Sequence, residues 1–465
     1  MMMLSEVAKA VGGRLIGADV QVESVDTDSR RIQAKQLFVA IKGERFDGNT
    51  FAAEALTQGA AAVLISDATL NVQPAVLVDD TRVALGQLAK HWRQQINVPV
   101  VAITGSNGKT TTKEMLTAIL VRAAGGAEAV HATQGNLNND IGMPLTLLKA
   151  RAQHRYIVLE MGMNHLGEIA YLSQIAQPDV AVINNAGTAH IGELGSRENI
   201  AKAKGEIFQG LSDKGIAVIN ADDTFADYWQ SLNTTRSVKT FALKHAADVT
   251  AEYVEQANAS QISLVTPSGE VTFNLPILGA HNVYNALAAS AAAVALGVSN
   301  ADIAEGLAHF GGVRGRLEYK QGLNGAVLID DTYNANPDSM KAAINVLAHL
   351  ETTRIFVMGD MGELGADAAA MHAAVGAYAA SHQVHQFYSL GEHSRLASAA
   401  FGTAAQHFND VEALATHVKT KMKQGVTVLV KGSRFMRMER VVKLLEAVNG
   451  EPQAAQETLG RATCY

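Results

Sequence analysis

The sequence predicts an α/β protein built as three successive domains. Short continuous apolar runs of four or five residues alternate with helical patterns over most of the chain, as parallel sheets covered on both faces require. The rhythm is interrupted at Asn97-Val98-Pro99 and again in the glycine-containing stretch from Gly311 to Gly315. The chain has 465 residues, 48% of them hydrophobic. That is enough for about three cores. The expected domains are 1–98, 99–313 and 314–465.

In the first, a small α/β domain, residues 37–41, 61–65 and 75–78 read as strands and 51–58 and 82–95 as helices. The second opens on a strand at 100–104 and continues with strands at 156–159, 180–183 and 216–219, a mostly parallel sheet. From 249 to 275 the pattern alternates and is broken by turns, which predicts an antiparallel flank. An Ala-rich helix follows from about 282 to 296. The third domain restarts the alternation with strands at 326–329, 355–358, 386–390 and 426–430 and is expected to be Rossmann-like. Polar residues follow these strands at the end where open α/β sheets receive ligands. Beyond about residue 450 little in the chain would anchor it.

One stretch of the second domain points to chemistry most directly. Val100-Val101-Ala102-Ile103 leads into Thr104-Gly105-Ser106-Asn107-Gly108-Lys109-Thr110-Thr111 and then an apolar-periodic helix. Strand, glycine-rich turn and helix N-terminus together form a receptor for a nucleoside triphosphate, so the central domain reads as P-loop-type. The glycines let backbone N–H groups approach phosphate oxygens. Lys109 can neutralise the outer phosphates and the Thr110 hydroxyl can hold Mg²⁺. The general pattern asks for a glycine where Ile103 stands, so this loop is shorter, and an ordinary turn is the competing account.

The net charge of −7 and the lack of a basic stripe with interleaved aromatics argue against a nucleic-acid partner. A polyanionic ligand must then be met by a few local cations. The single cysteine, Cys464, excludes an intrachain disulfide framework and a Cys-based metal site. No basic-then-apolar leader and no apolar run of membrane-spanning length is found, so the expectation is a soluble cytoplasmic protein without membrane insertion.

Further candidates follow the strand ends. Glu160 closes the strand at 156–159, one sheet position from the phosphate loop, where it could hold Mg²⁺; a solvated strand-end acid is the alternative. His190 follows the next strand in Asn184-Asn185-Ala186-Gly187-Thr188-Ala189-His190, and could equally be a hydrogen-bonded structural residue. Lys202 and Lys204 read, from the residues alone, as a solvated helix face. Asn282 and Asn285, in Gly279-Ala280-His281-Asn282-Val283-Tyr284-Asn285, share a face that could read an adenine edge, or Asn282 caps the helix. Asp330-Asp331-Thr332-Tyr333-Asn334-Ala335-Asn336-Pro337 could meet ribose hydroxyls or a peptide, or simply form a turn. Arg314 and Arg316 at the second boundary could clamp a phosphate between domains, or pair with an acid.

Together these segments resemble the Mur ligases over nearly the whole length and all three domains. Residues 104–111 are similar to that family's phosphate loop and 279–285 to its adenine-side motif. Asn136-Leu137-Asn138-Asn139-Asp140-Ile141-Gly142 with Met143-Pro144-Leu145-Thr146-Leu147-Leu148, the segment 331–337, and Lys431-Gly432-Ser433-Arg434 resemble the member that adds D-alanyl-D-alanine to UDP-N-acetylmuramoyl-tripeptide. The Asp-Asn-Pro-Arg segment usual in the sibling that adds a diamino acid is missing.

The resemblance implies ATP and Mg²⁺ as cofactors, and the tripeptide nucleotide and D-alanyl-D-alanine as substrates. It assigns Gly105, Ser106, Asn107, Gly108, Lys109, Thr110 and Thr111 to ATP, Asn282, Asn285 and Asp331 to the adenosine, and Arg316 to phosphate. Thr110 and Glu160 would hold one Mg²⁺, and Glu160 with His190 a second. Lys204 matches the position that reacts with CO₂ to form a carbamate, an anion able to support the second ion. Asp28-Ser29-Arg30 and Lys42-Gly43-Glu44-Arg45-Phe46-Asp47-Gly48-Asn49 resemble uridine-diphosphate-binding elements, implicating Ser29, Arg30 and Lys42. Asn136, Asn138, Asn139, Tyr333, Asn334, Asn336 and Ser433 fall to the other substrate contacts, and a monomer is expected.

In the implied reaction the peptide carboxylate attacks the γ-phosphorus, and the dipeptide amine then attacks the acyl phosphate. Two anions must meet, which calls for Mg²⁺ and Lys109. Water would destroy the intermediate, so the third domain is expected to swing closed about 311–315. The alternatives are a sibling adding a single amino acid, a folylpolyglutamate synthase-like ligase, and a nucleotide switch without ligation. The first domain and the segments around Asn138 and Asn336 disfavour the folate enzyme. A switch has no use for a second α/β domain facing the loop.

Overall fold

Val100–Thr104, four apolar residues and a threonine, is buried along its whole length because it runs through the interior of the central sheet. The computed structural model describes residues 1–43, 46–256 and 258–447; Glu44, Arg45, Cys464 and the rest of 448–465 lie outside the described residues. Among the described residues the central sheet has nine strands. Their order is Gly269–Leu275, Ser260–Thr266, Val249–Glu255, Ser237–Ala242, Ile216–Asn220, Val180–Ile183, Val100–Thr104, Tyr156–Glu160 and Val130–Ala132. Pairings from Val130–Ala132 to Val249–Glu255 are parallel, and the last two are antiparallel. Val100–Thr104, Tyr156–Glu160, Val180–Ile183 and Ile216–Asn220 are largely continuous apolar runs because helices cover both faces, whereas the parallel strand Ser237–Ala242 is mixed and partly exposed. Ser260–Thr266 instead alternates buried and less buried positions, as a strand with one covered face does.

Pleat alternation divides the core in two. Val100, Ala102, Ile157 and Leu159 face one layer, and Val101, Ile103, Val158 and Val182 the other. The second layer is filled by the helices Lys109–Ala124 and Ala280–Ala295, whose alanines let the two approach closely. The first layer runs without a break into the first domain, through Leu85 and Leu88 of the helix Thr81–Gln95. That helix lies on Gly142–Leu148 and Glu168–Ala176. At Gly86 an added Cβ would sit 2.1 Å from the Tyr171 hydroxyl, so the tyrosine packs into the space that glycine leaves.

The first domain carries a sheet in the order Arg14–Ile16, Ala75–Leu77, Ala62–Ile65, Gln36–Val39, Ser24–Asp26, parallel except at Arg14–Ile16. The third carries Glu318–Gln321, Val327–Asp331, Val426–Lys431, Thr353–Gly359, Gln386–Leu390 and Ala405–Phe408, parallel except at Glu318–Gln321. Of the strands absent from the sequence reading, Arg14–Ile16, Ser24–Asp26, Val130–Ala132, Glu318–Gln321 and Ala405–Phe408 sit at sheet edges, whereas Ser237–Ala242 is an interior strand whose mixed Ser-Val-Lys-Thr-Phe-Ala run hid it. One side of an edge strand faces water or loops, so it carries no continuous apolar run.

Two expectations are corrected. The helix read at 51–58 begins as a 3-10 turn, Gly48–Phe51, before Ala52–Thr57. The Ala-rich helix starts at Ala280 with Gly279 as N-cap at φ +98°, so Asn282 does not cap it. Asn282 lies inside the first turn, and its amide donates to the Leu278 carbonyl at 2.8 Å.

Candidate active site

Gly108 makes the phosphate loop possible. Its φ is +81°, and an added Cβ would lie 2.0 Å from Asn285 Oδ1. Glycine alone satisfies both the left-handed turn and the close approach. Gly108 is also the N-cap of Lys109–Ala124 with no side-chain cap, which leaves the first helical N–H groups free for an anion. Asn185 holds the loop as a strand would. Its Oδ1 accepts from Asn107 N at 2.9 Å, its Nδ2 donates to Asn107 O at 3.1 Å, and its carbonyl accepts from Ser106 N at 3.0 Å.

Glu160 pairs in register with Ile103, so its carboxylate emerges beside the loop. Thr110 donates to Glu160 Oε2 at 2.8 Å, and Asn138 Nδ2 donates to Oε1 at 2.7 Å. Lys109 Nζ donates to the Gly105 carbonyl at 2.8 Å. Burial pushes the Lys109 ammonium below its ordinary range, and Glu160 opposes that push.

Lys204 is only 1% exposed, whereas Lys202 on the same helix is exposed. The solvated-face reading of Lys204 is therefore overturned. Helical spacing puts residues two apart on different faces, and the Lys204 face is the one turned inward. Among the described residues Lys204 has no ion pair. Burial, and then the nearby Lys109, push its amine well below the ordinary lysine range. His190 has φ +63°, and its Nδ1 lies 2.7 Å from Glu363 Oε2 without hydrogen-bond alignment. This contact holds the Glu363 carboxyl below its usual range.

The third domain supplies the opposite wall. Arg316 Nη2 donates to Thr110 Oγ1 at 3.0 Å, and its guanidinium stacks 4.2 Å over the Tyr333 ring. Its Nε is buried without a partner, as is Ser106 Oγ on the loop. Lys431 Nζ sits 2.7 Å from Asp331, whose carboxyl burial pushes up while Lys431 and Arg316 pull it down. Asn336 Nδ2 donates to Asn107 Oδ1 at 2.8 Å. Ser433 Oγ donates to the Ala335 carbonyl at 3.0 Å.

These walls enclose one cavity of about 1320 Å³. It is lined by Ser106 to Thr111, Asn138, Asn139, Glu160, His190, Asn282, Asn285, Arg316, Asp331, Tyr333, Asn334, Asn336 and Ser433. Gly105, Asn136 and Lys204 are not among its lining residues, nor are Ser29, Arg30 and Lys42 of the first domain. Arg30 is 85% exposed and forks onto Asp28 at 2.8 Å. The sequence reading gave no role to Asn185, Asp338, Glu363 or Lys431. Lys431 could have been found, because it closes an apolar strand as Glu160 does. Asp338 and Glu363 carry no local signal.

Three family models match in series: Mur ligase family, catalytic domain, at 21–93; Mur ligase middle domain at 103–293; and Mur ligase, glutamate ligase domain, at 315–434. A UDP-N-acetylmuramoyl-tripeptide–D-alanyl-D-alanine ligase of Escherichia coli is 43% identical, over 95% of this chain and 98% of that protein. The chain belongs to the Mur ligase family. Among solved Mur ligases, the UDP-N-acetylmuramoylalanyl-D-glutamyl-2,6-diaminopimelate–D-alanyl-D-alanyl ligase of Acinetobacter baumannii is 37% identical. It superposes with a TM-score of 0.85, covering 94% of this chain and 97% of that one. The MurF ligase of Thermotoga maritima in complex with ADP is 30% identical with a TM-score of 0.81, covering 91% and 97%.

Among the described residues of this Mur ligase, no cluster of three or more His, Cys, Asp or Glu side chains could hold a metal alone. Thr110 and Glu160 nevertheless bring a hydroxyl and a carboxylate together beside the loop. Two hard oxygen donors, with water and phosphate completing the shell, fit Mg²⁺. No helix among the described residues is long and apolar enough to cross a membrane.

Proposed function

We propose that the protein is an ATP-dependent ligase joining the terminal carboxylate of UDP-N-acetylmuramoyl-tripeptide to the amine of D-alanyl-D-alanine. The observation that carries this reading is the shared cavity. A phosphate loop with Lys109, Thr110 and Glu160 forms one side, and a second α/β domain, reaching over it through Arg316, forms the other. The substrates are those named for the Escherichia coli relative. Domains 1–98, 99–313 and 314–465 serve the uridine nucleotide, ATP and the dipeptide in that order. Ser29, Arg30 and Lys42 meet the uridine nucleotide. The protein acts as a cytoplasmic monomer.

In the first step a carboxylate oxygen attacks the γ-phosphorus and ADP departs, leaving an acyl phosphate. Lys109 and the free N–H groups of the loop draw charge from the phosphates, and Arg316 meets them from the other domain. Thr110 and Glu160 would hold Mg²⁺, and Glu160 with His190 a second ion. Such ions neutralise charge between the two approaching anions. Burial holds the Lys204 amine well below the ordinary lysine range, which favours attack of its neutral form on CO₂ with loss of a proton to give a carbamate, an anion that would support the second ion. In the last step the dipeptide amine attacks the acyl carbon, phosphate leaves, and the nitrogen gives up a proton. Asn282 and Asn285 serve the adenosine, with Asp331. Asn138, Asn334, Asn336 and Ser433, which line the cavity, would contact the peptide.

The test is phosphate release from ATP and Mg²⁺ with the tripeptide nucleotide and either D-alanyl-D-alanine or single amino acids. Release that requires the dipeptide, with a pentapeptide product by mass, is expected. Release with a single amino acid would assign the protein to a sibling activity, and no release would refute ligation.

A further inference from the structure

Among the described residues the first domain contributes one side chain to the cavity wall, Arg82. Its backbone is fixed because Asp80, the N-cap of Thr81–Gln95, accepts from Arg82 N at 2.7 Å and Val83 N at 3.1 Å. From there the guanidinium crosses to the second domain and forks onto Asp140, through Nε to Oδ2 and through Nη2 to Oδ1 at 2.9 Å. The fork is the geometry with which arginine recognises any carboxylate. Both side chains stay partly in water, 49% and 29% exposed, and a pair so exposed contributes little to stability. Asp140 is therefore an exchangeable occupant of the Arg82 fork.

The location says what exchanges with it. Asp140 is two residues from Asn138, whose amide is bound to Glu160. Two residues of chain span at most roughly 7 Å. Arg82 and Asp140 line the same cavity as Asn138 and Glu160, so the fork stands on that wall, set back from the reacting centre by this short step of chain. This step rests on the ligase reading above. A peptide of the kind named for the Acinetobacter baumannii relative has a glutamyl unit immediately before the reacting diaminopimelate. Of the two glutamyl carboxyls one is consumed in the peptide bond, so the other is a free anion. We propose that Arg82 reads this free glutamyl carboxylate, and that Asp140 holds the guanidinium in position until the peptide arrives.

The experiment measures initial rates for wild type, Arg82→Gln and Asp140→Asn on two acceptors. One is the natural tripeptide nucleotide, and the other has its free glutamyl carboxylate converted to a carboxamide. Thermal melts check that each variant is folded. For Arg82→Gln the KM for the natural acceptor should rise roughly 10-fold or more, as expected for loss of a charge-assisted hydrogen-bonded pair. Its kcat and its KM for ATP and the dipeptide should stay near wild type. Wild type should pay a similar KM penalty on the carboxamide, with Arg82→Gln adding nothing further. Asp140→Asn should not raise KM, because it frees the fork. An equal Arg82→Gln penalty on both acceptors would mean contact with the diphosphate or a purely structural pair, and would overturn the inference. So would an unchanged KM, or Asp140→Asn reproducing the Arg82→Gln defect. Wild type making no product with either acceptor overturns the ligase reading itself and the inference with it.

Discussion

Asp338 accepts two hydrogen bonds from Thr188, one from its backbone N–H and one from its hydroxyl, each 2.8 Å long. Thr188 lies beyond the strand Val180–Ile183 in the central sheet. Asp338 stands in the first turn of Pro337–Ala348 in the third domain. With Asn336 on Asn107 and Gly192 N on the Glu363 carbonyl, it latches the two domains face to face.

Asp338→Ala should loosen that latch. Losing hydrogen bonds to a charged acceptor costs about 1.5–3 kcal/mol, enough to shift an open–closed balance more than tenfold. A larger radius of gyration by small-angle scattering and a lower kcat are expected, with little change in thermal stability. Scattering and kcat identical to wild type would remove Asp338 from the closing mechanism.

Gly192→Ala tests the same closure by sterics. An added Cβ would lie 2.5 Å from Gly365 N and 2.8 Å from the Glu363 carbonyl, both backbone atoms that cannot step aside. The third domain should stop short of the loop. Misalignment of this size costs on the order of 100-fold in rate. ATP affinity measured by calorimetry should fall much less, since the loop itself is untouched. Normal turnover would mean that the Gly192–Gly365 contact can give way.

What was legible in the sequence follows a physical division. Thr110 and Glu160 were readable because each ends a local signal: a glycine turn before a helix, and an apolar run closed by an acid. The parallel strands at the middle of the central sheet were readable because burial on both faces makes them nearly uniformly apolar, while Ser237–Ala242, exposed at its start, was not. Asp338 and Thr188 are 150 residues apart, and nothing local marks either as a partner. The inward turn of Lys204 was equally hidden. A lysine on a short helix reads as solvated until the packing of that helix is known.

Lys204 gives a prediction with opposite signs for stability and activity. Its folded-state pKa is depressed, so below the ordinary lysine value the folded chain holds this proton less firmly than the unfolded chain does. The unfolded state binds the extra proton, and stability therefore falls as pH drops below the ordinary lysine value. Lys204→Met removes that penalty. In CO₂-free buffer it should raise the melting temperature, more at pH 7 than at pH 10, while ligation is lost. Wild-type activity should fall when CO₂ is stripped and return with bicarbonate, and the variant should not respond. A variant that melts lower at pH 7 would refute the burial argument, and one that still ligates would refute the carbamate.

His281 sets an acid limit on the fold. Burial, and then the Lys431 ammonium, push its imidazole from an ordinary 6.5 to about 4. The folded protein holds this ring neutral through a range in which the unfolded chain protonates it. The stability it protects is fully present above pH 6.5, declines as pH falls from 6.5 to 4, and below 4 falls no further. A shift of this size corresponds to at most about 3 kcal/mol. Urea midpoints at pH 7.5 and 4.5 should therefore lie farther apart in wild type than in His281→Gln, whose side chain does not titrate. Lys431→Met should narrow the gap in part, because it removes the second cause and leaves the first. Equal gaps in wild type and His281→Gln would show that the ring titrates alike in folded and unfolded chains, and the acid sensitivity would then belong to the buried carboxylates instead.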